Sequence, residues 1–254
     1  MQELVDFTKQ LAHASGDIIN GYFRSGVAIE TKSDESPVTI ADKKAEEVMR
    51  EMIMKAFPNH GIIGEEFGNH NEDAEYQWVL DPIDGTKSFI SGTFLFGTLI
   101  GLMKNRQPIL GAIHHSVTSH LLIGTGDEAK LNDVPVTVRS NSRIADATML
   151  YTDFVDVNKY QDGLAFQQLM GRTKFNRTWG DCHGYFLVAT GYADMMLDPI
   201  MNLWDIVALV PVIEGAGGTI TDWRGNAPLD GHGIIATNGD LHAQVLHALN
   251  PSLE

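Results

Sequence analysis

Between residues 61 and 125 five short apolar runs follow one another: GIIG at 61–64, WVLD at 78–81, FLFGTLIGLM at 94–103, PILGAIHH at 108–115 and HLLIGT at 120–125. Apolar pieces of this length, bounded by polar and turn-forming residues, read as strands. A parallel crossover needs a dozen or more residues, usually a helix, yet the gaps after Met103 and His115 hold four residues each. The succession predicts a largely antiparallel sheet rather than strict alternation of strand and helix.

Helical periodicity flanks this block. Leu4, Phe7, Leu11, Ile18 and Tyr22 predict an amphipathic helix over 3–23. Ala45, Val48, Met49, Met52, Ile53 and Ala56 predict a second over 40–56, with Thr39 and Asp42 in a capping arrangement at its start. The polar stretch TKSDESPV at 31–38 reads as a loop between them. NDVPVTVRSN at 132–141 reads as a strand and then a connector, a boundary between residues 1–140 and 141–254. The second half predicts helices at 158–171, 181–191, 204–216 and 239–249. Its strands fall in TKFNRT and at 218–222 and 233–237. A layered α/β (α+β) protein of two intimately joined subdomains is expected.

Charge narrows the functions open to it. Eighteen Lys and Arg against 33 Asp and Glu give a formal charge of −15. That balance argues against nonspecific nucleic-acid binding and against anionic membrane surfaces. A small phosphorylated metabolite remains possible, provided metal cations or backbone N–H groups receive it. The single cysteine, Cys182, rules out an internal disulfide or a multi-thiolate zinc site. No basic, apolar leader opens the chain and its longest apolar run is too short to span a bilayer, so a cytoplasmic protein is expected.

Acids gather where predicted elements end. GIIGEEFG closes a strand on Glu65 and Glu66; WVLDPIDGT closes another on Asp81 and turns through Pro82 to Asp84. Asp205 stands at the start of an apolar helix, and Asp42 in the first turn of another. Each alone suits a helix start or a turn. Together they would repel without a counter-ion. Hard oxygen ligands suit Mg²⁺, and the Asp-x-x-Asp spacing lets one carboxylate bridge two ions while the other completes the second. If DGTKSF opens a helix, the N–H groups around Gly85 and Thr86 form an anion site beside those metals. Metals, a phosphate cradle and a hydroxyl together describe metal-assisted hydrolysis of a phosphate monoester.

GEEFG, WVLDPIDGTKSF and LWDIVALVPVIEGAGG resemble the inositol monophosphatase superfamily of Mg²⁺-dependent, lithium-sensitive phosphatases, and the resemblance runs from the first helix to GIIATNGDLH. It implies a five-layered αβαβα sandwich, a homodimer, and two or three Mg²⁺ ions. It implies that Glu65, Asp81 and the Ile83 carbonyl hold the first ion, and Asp81, Asp84 and Asp205 the second. Asp84, Gly85 and Thr86 would receive phosphate, while Asp42 with Thr86 would activate the attacking water. Glu66 and Lys32 would play supporting parts, Lys32 from the polar loop.

The stretch TWGDCHGYFLVATGYADMMLDPIMNLWD at 178–205 resembles the histidinol-phosphate phosphatase branch. A carboxylate at Asp198 fits the cationic amine and imidazole of histidinol, with Asp181 and Asn202 completing polar recognition. An inositol-1-phosphatase or broader sugar-phosphate phosphatase is the alternative, and a metal-binding regulatory or scaffold protein the non-enzymatic one. Cys182 reads as a buried small hydrophobe, and His114 and His115, adjacent on a strand, as facing opposite ways.

Overall fold

The computed structural model describes residues 1–26, 28–31 and 37–251. Its first part runs α1 (Gln2–Tyr22), β1 (Ile29–Thr31), β2 (Pro37–Thr39), α2 (Ile40–Ala56), β3 (Gly61–Gly64), β4 (Gly68–His70), β5 (Tyr76–Asp84) and α3 (Thr86–Ile90). It continues through β6 (Gly97–Lys104), β7 (Gln107–His115), β8 (His120–Gly124), β9 (Ala129–Leu131) and β10 (Val134–Pro135). Strands β3 to β10 form one eight-stranded sheet in the order β10-β9-β8-β7-β6-β5-β3-β4. It is antiparallel except where β3 lies parallel to β5, so the expectation from the short gaps holds.

The second part runs β11 (Thr148–Tyr151), α4 (Phe154–Tyr160), α5 (Gly163–Arg172), β12 (Phe175–Arg177), α6 (Asp181–Ala189), β13 (Met195–Asp198) and α7 (Leu203–Ile206). Then come α8 (Leu209–Gly215), β14 (Thr219–Asp222), β15 (Ile234–Thr237) and α9 (His242–Leu249). Its five strands form a mixed sheet in the order β12-β11-β13-β15-β14.

Alternation of side chains along the strands stacks these pieces. Ile100, Leu102, Leu110 and Ala112 pack on Leu11 of α1 and on Met49 and Ile53 of α2. Leu99 and Ile113, one step out of phase, face the other way and pack with Tyr185 of α6 and Leu209 and Ile213 of α8. From the second sheet Leu150, Met196 and Ala236 enter that same inner slab. Met149, Leu197 and Ile235 point outward onto Phe166 and Leu169 of α5 and Val245 of α9. The result is five layers: helices, sheet, helices, sheet, helices. Each fully buried aliphatic side chain contributes about 1.5–3 kcal/mol.

A row of glycines positions the middle layer. Gly101, Gly111 and Gly124 are register partners across β6, β7 and β8. A methyl at Gly101 would stand 2.6 Å from Val207 Cγ1, while methyls at Gly111 and Gly124 would overlap the carbonyls of Ala208 and Pro211. The backbone of the α7–α8 segment therefore lies directly on the sheet.

Several expectations are corrected. The helix foreseen at 158–171 is two, because Asp162 Oδ1 accepts from the N–H groups of Leu164 and Ala165 and starts α5 afresh. The helix foreseen at 204–216 is also two; Pro211 has no N–H to return to Val207, and the helix breaks across Val207 and Ala208. The strand foreseen at 94–103 begins at Gly97, since Phe94 and Phe96 join Phe23 in an aromatic cluster. Strands β4, β9, β11 and β13 were not foreseen, and β1 and β2 take in the two ends of the expected 31–38 loop. Among the described residues no helix is long and apolar enough to cross a membrane.

Candidate active site

β5 runs beyond the foreseen WVLD, through Pro82 to Asp84, with its pairing to β6 shifted between Asp81 and Asp84. Proline cannot donate to the ladder, and here its carbonyl accepts from the Thr98 hydroxyl at 2.8 Å. The irregularity sets both acids toward Asp205 in the first turn of α7. A carboxylate oxygen from each of Asp81, Asp84 and Asp205 lies within 4.8 Å of the others.

Among the described residues no cation stands out as balancing this trio. Burial first, then Glu65, Asp84 and Asp205, push the Asp81 carboxyl well above its ordinary range. Burial and the charges of Asp181 and Asp205 do the same to Asp84, although the Cys182 N–H at the head of α6 donates to its Oδ2. Asp205 is pushed up to about 7, chiefly by burial, while its Oδ2 accepts the Asn202 N–H at 2.7 Å. Lys87, the cation next to the motif, acts on Asp181 instead. Oδ1 of Asp81 is enclosed and has no hydrogen-bond partner. An orphaned carboxylate oxygen among acids that resist ionising together is what a hard divalent cation would satisfy. The donor set fits Mg²⁺.

Gly85 and Thr86 follow directly. Gly85 is left-handed at φ 86°, and a methyl there would stand 2.8 Å from the Leu95 carbonyl. Thr86 opens α3 as foreseen, and its hydroxyl donates to the Ile83 carbonyl at 3.0 Å. The first N–H groups of a helix lack intrahelical acceptors and suit an anion.

The remaining predicted residues are distributed around this centre. Glu65, just beyond β3, donates its N–H to the Leu80 carbonyl, and its charge bears on Asp81, Asp42 and Asp205. Asp42 is buried and closes the expected capping box, its Oδ2 accepting from the Thr39 N–H at 2.9 Å and hydroxyl at 2.7 Å. Burial raises its pKa. Asp84, Asp181, Asp198 and Asp205 line one small cleft of about 90 Å³. Burial holds Asp181 up at about 6 and Asp198 at about 7. Asp181 is strained, at φ 50°, with its N–H donated to Thr152 Oγ1 at 2.9 Å. Asn202 is exposed at the head of α7, where its backbone serves Asp205. Lys32 lies outside the described residues. Cys182 is buried with its thiol pKa raised by burial, as an inert side chain should be.

The model of the inositol monophosphatase family matches residues 1–254. The chain belongs to that family. It is 42% identical over 252 residues to the bifunctional phosphatase IMPL2 of Arabidopsis thaliana, covering 94% of this chain and 72% of the relative. It is 35% identical to a histidinol-phosphatase of Chlorobaculum parvum, with 94% of each chain covered. An inositol monophosphatase structure from Zymomonas mobilis superimposes with a TM-score of 0.87 at 32% identity, over 98% of each chain. The αβαβα layering is that of the inositol monophosphatase fold. This inositol monophosphatase family member is a phosphoric monoester hydrolase, and its family is metal-dependent.

Sequence reasoning missed some of the site. Thr152, Asp153 and Asp156 line the cleft with the predicted acids. Asp153 N-caps α4 through the Val155 N–H at 2.7 Å and Asp156 sits in its first turn, so Asp-x-x-Asp before a helix was a usable signal. Glu46 of α2 was missed too. It is fully buried, pairs with Arg50 at 3.1 Å and accepts the N–H groups of Glu66 at 2.8 Å and Phe67 at 3.1 Å. It thereby holds the loop that carries Glu65 and Glu66.

Proposed function

We propose that this family member is a Mg²⁺-dependent histidinol-phosphate phosphatase, converting L-histidinol phosphate and water to L-histidinol and phosphate. The carrying observation is the cleft, where Asp153, Asp156, Asp181 and Asp198 share one lining with the metal-type acids Asp84 and Asp205. A substrate whose phosphate meets cations held by Asp84 and Asp205, and whose cationic amine and imidazole meet the remaining carboxylates, fits that acidic lining. The relative from Chlorobaculum parvum supports the same substrate.

Glu65, Asp81 and the Ile83 carbonyl would hold one Mg²⁺; Asp81, Asp84 and Asp205 would hold another, with Glu66 supporting a third or the loop itself. When bound, Mg²⁺ supplies the Lewis-acid charge that offsets the phosphoryl oxygens and the departing alkoxide. The N–H groups of Gly85 and Thr86 receive the phosphate. Thr86 Oγ1, whose proton is committed to the Ile83 carbonyl, accepts from the attacking water and orients it. The Asp42 carboxylate takes that water's proton while its Oδ2 stays fixed by Thr39. Asp198 and Asp181 hold the substrate amine, and their raised proton affinity falls once a cation lies beside them.

Phosphate release from histidinol phosphate, inositol 1-phosphate, fructose 1,6-bisphosphate and a plain aryl phosphate, with and without Mg²⁺, tests this. Histidinol phosphate should lead in kcat/KM and turnover should need Mg²⁺. Equal or better use of inositol 1-phosphate refutes the substrate assignment and favours the inositol reading. The homodimer and lithium inhibition belong to the same proposal, checked by sedimentation and by adding LiCl to that assay.

A further inference from the structure

Thr152, just beyond β11, joins two of the cleft's carboxylates. Tyr151 and Leu197 are register partners across β11 and β13, which brings Thr152 beside Asp198 at the end of β13. The Thr152 hydroxyl gives its hydrogen to the Asp198 carboxylate, and its Oγ1 accepts the Asp181 N–H at 2.9 Å. A hydroxyl has one hydrogen to donate and lone pairs to accept with, so both roles are filled at once. Gly180 lies so close that a methyl on it would stand 2.4 Å from both Cα and Oγ1 of Thr152. The chain entering α6 is pressed onto Thr152, and there Asp181 takes its left-handed φ of 50°. A residue with a side chain keeps that conformation where its surroundings fix it; here Thr152 does so.

That conformation brings Asp181 to the phosphate cradle. A methyl at Gly85 would stand 3.0 Å from Asp181 Oδ2, and Gly85 is assigned above to the phosphate. The next N–H, that of Cys182, goes to Asp84 Oδ2, so the head of α6 is held on both sides. From α3, Lys87 offsets part of the Asp181 charge. A carboxylate so near the phosphate meets a substrate cation only where that cation is near as well, on the carbon next to the ester carbon. The cleft of about 90 Å³ is well below the ~300–1,000 Å³ of a pocket that encloses a drug-sized ligand. It takes an ammonium on a short arm and leaves the rest of the molecule outside.

We propose that Thr152 is a positioning residue that clamps Asp181 against the phosphate cradle at a fixed spacing from Asp198, and that the clamped pair selects phosphate monoesters of 2-amino alcohols. L-Histidinol phosphate, the substrate reading on which this rests, is one such ester. The selection acts through the ammonium alone, so it excludes polyol phosphates of any ring size.

Turnover of ethyl, 2-aminoethyl and 3-aminopropyl phosphate in saturating Mg²⁺ tests this, because only the ammonium and its distance change along the series. In the wild type the 2-aminoethyl ester should lead the other two in kcat/KM by about tenfold or more, as a hydrogen bond between charged groups allows, with the gain in KM. Thr152→Val should erase most of that lead, and Thr152→Ser, which keeps the hydroxyl, should restore it. The lead is a ratio within one protein, so a general loss of activity cancels. Thr152→Ala replaces the valine variant if that one does not fold. On an Asp181→Asn background Thr152→Val should lower the ratio no further, since it acts through Asp181. A lead kept by the valine or alanine variant, or not restored by serine, overturns the clamp and leaves the substrate reading standing. A wild type that uses the ethyl or 3-aminopropyl ester equally well overturns the selection; if histidinol phosphate is then no better than an aryl phosphate, the substrate reading falls with it.

Discussion

Asp198→Asn should make the metal-free protein more stable at alkaline pH, although it removes a group assigned to substrate binding. Asp198 is 4% exposed and its carboxyl is held at about 7, mainly by burial, against 3.8 in the unfolded chain. Below pH 4 the side chain is protonated whether folded or not, and its contribution is at its fullest. Between pH 4 and 7 the folded protein keeps a proton that the unfolded chain has lost, so stability falls as pH rises. Above 7 both have lost it and the fall stops. Three pKa units correspond to about 4 kcal/mol at most, a large share of the ~5–15 kcal/mol that holds a typical domain. Asparagine fills the same space without charge, so the variant's stability should decline less over that interval. Urea unfolding in EDTA at half-unit steps from pH 4.5 to 8.5 measures the difference. If the two stability curves run parallel across that range, the burial of this carboxylate has been misjudged.

Other outcomes follow from the same geometry. Asp81→Asn should cut phosphate release at least about 10³-fold in saturating Mg²⁺ while circular dichroism stays unchanged, since charge removed there costs both proposed ions. Gly85→Ala forces alanine to φ 86° against the Leu95 carbonyl; thermal melts should show about 1–3 kcal/mol of destabilisation, with a raised KM. Glu46→Ala strips a buried acid from Arg50 and two N–H groups, which should destabilise by about 3–5 kcal/mol. It should also raise the Mg²⁺ concentration needed for half-maximal turnover. Wild-type stability, followed by melting temperature, should rise with Mg²⁺ more steeply at pH 8 than at pH 5, where protonated Asp205 and Asp198 need no counter-ion.

The centre was legible because its chemistry is local in sequence. Asp81, Asp84, Gly85 and Thr86 fall within six residues, and Asp42 announces itself by a capping box. What escaped depends on partners far along the chain. Glu46 reads as one more solvated acid in KKAEEVM, and only the N–H groups twenty residues later turn it inward. Thr152 and Asp153 follow a four-residue strand too short for periodicity to reveal, whose neighbours β12 and β13 lie parallel to it across intervening helices. The broken helices failed for a different reason. Apolar spacing continues across Asp162 and across Val207, and a cap or a missing donor overrides it.

The glycine row beneath α7 and α8 has a consequence for how such a protein can change. Asp205 owes its distance from Asp81 and Asp84 to main chain resting on main chain, the Ala208 backbone on Gly101 and Gly111. Side chains elsewhere in the inner slab can exchange for others of similar volume at small cost to this seam. One methyl group on that seam lifts the helix and parts the acids. The chain's tolerance to substitution is thus divided sharply, with wide latitude in its hydrophobic bulk and almost none along a line of residues that have no side chain at all.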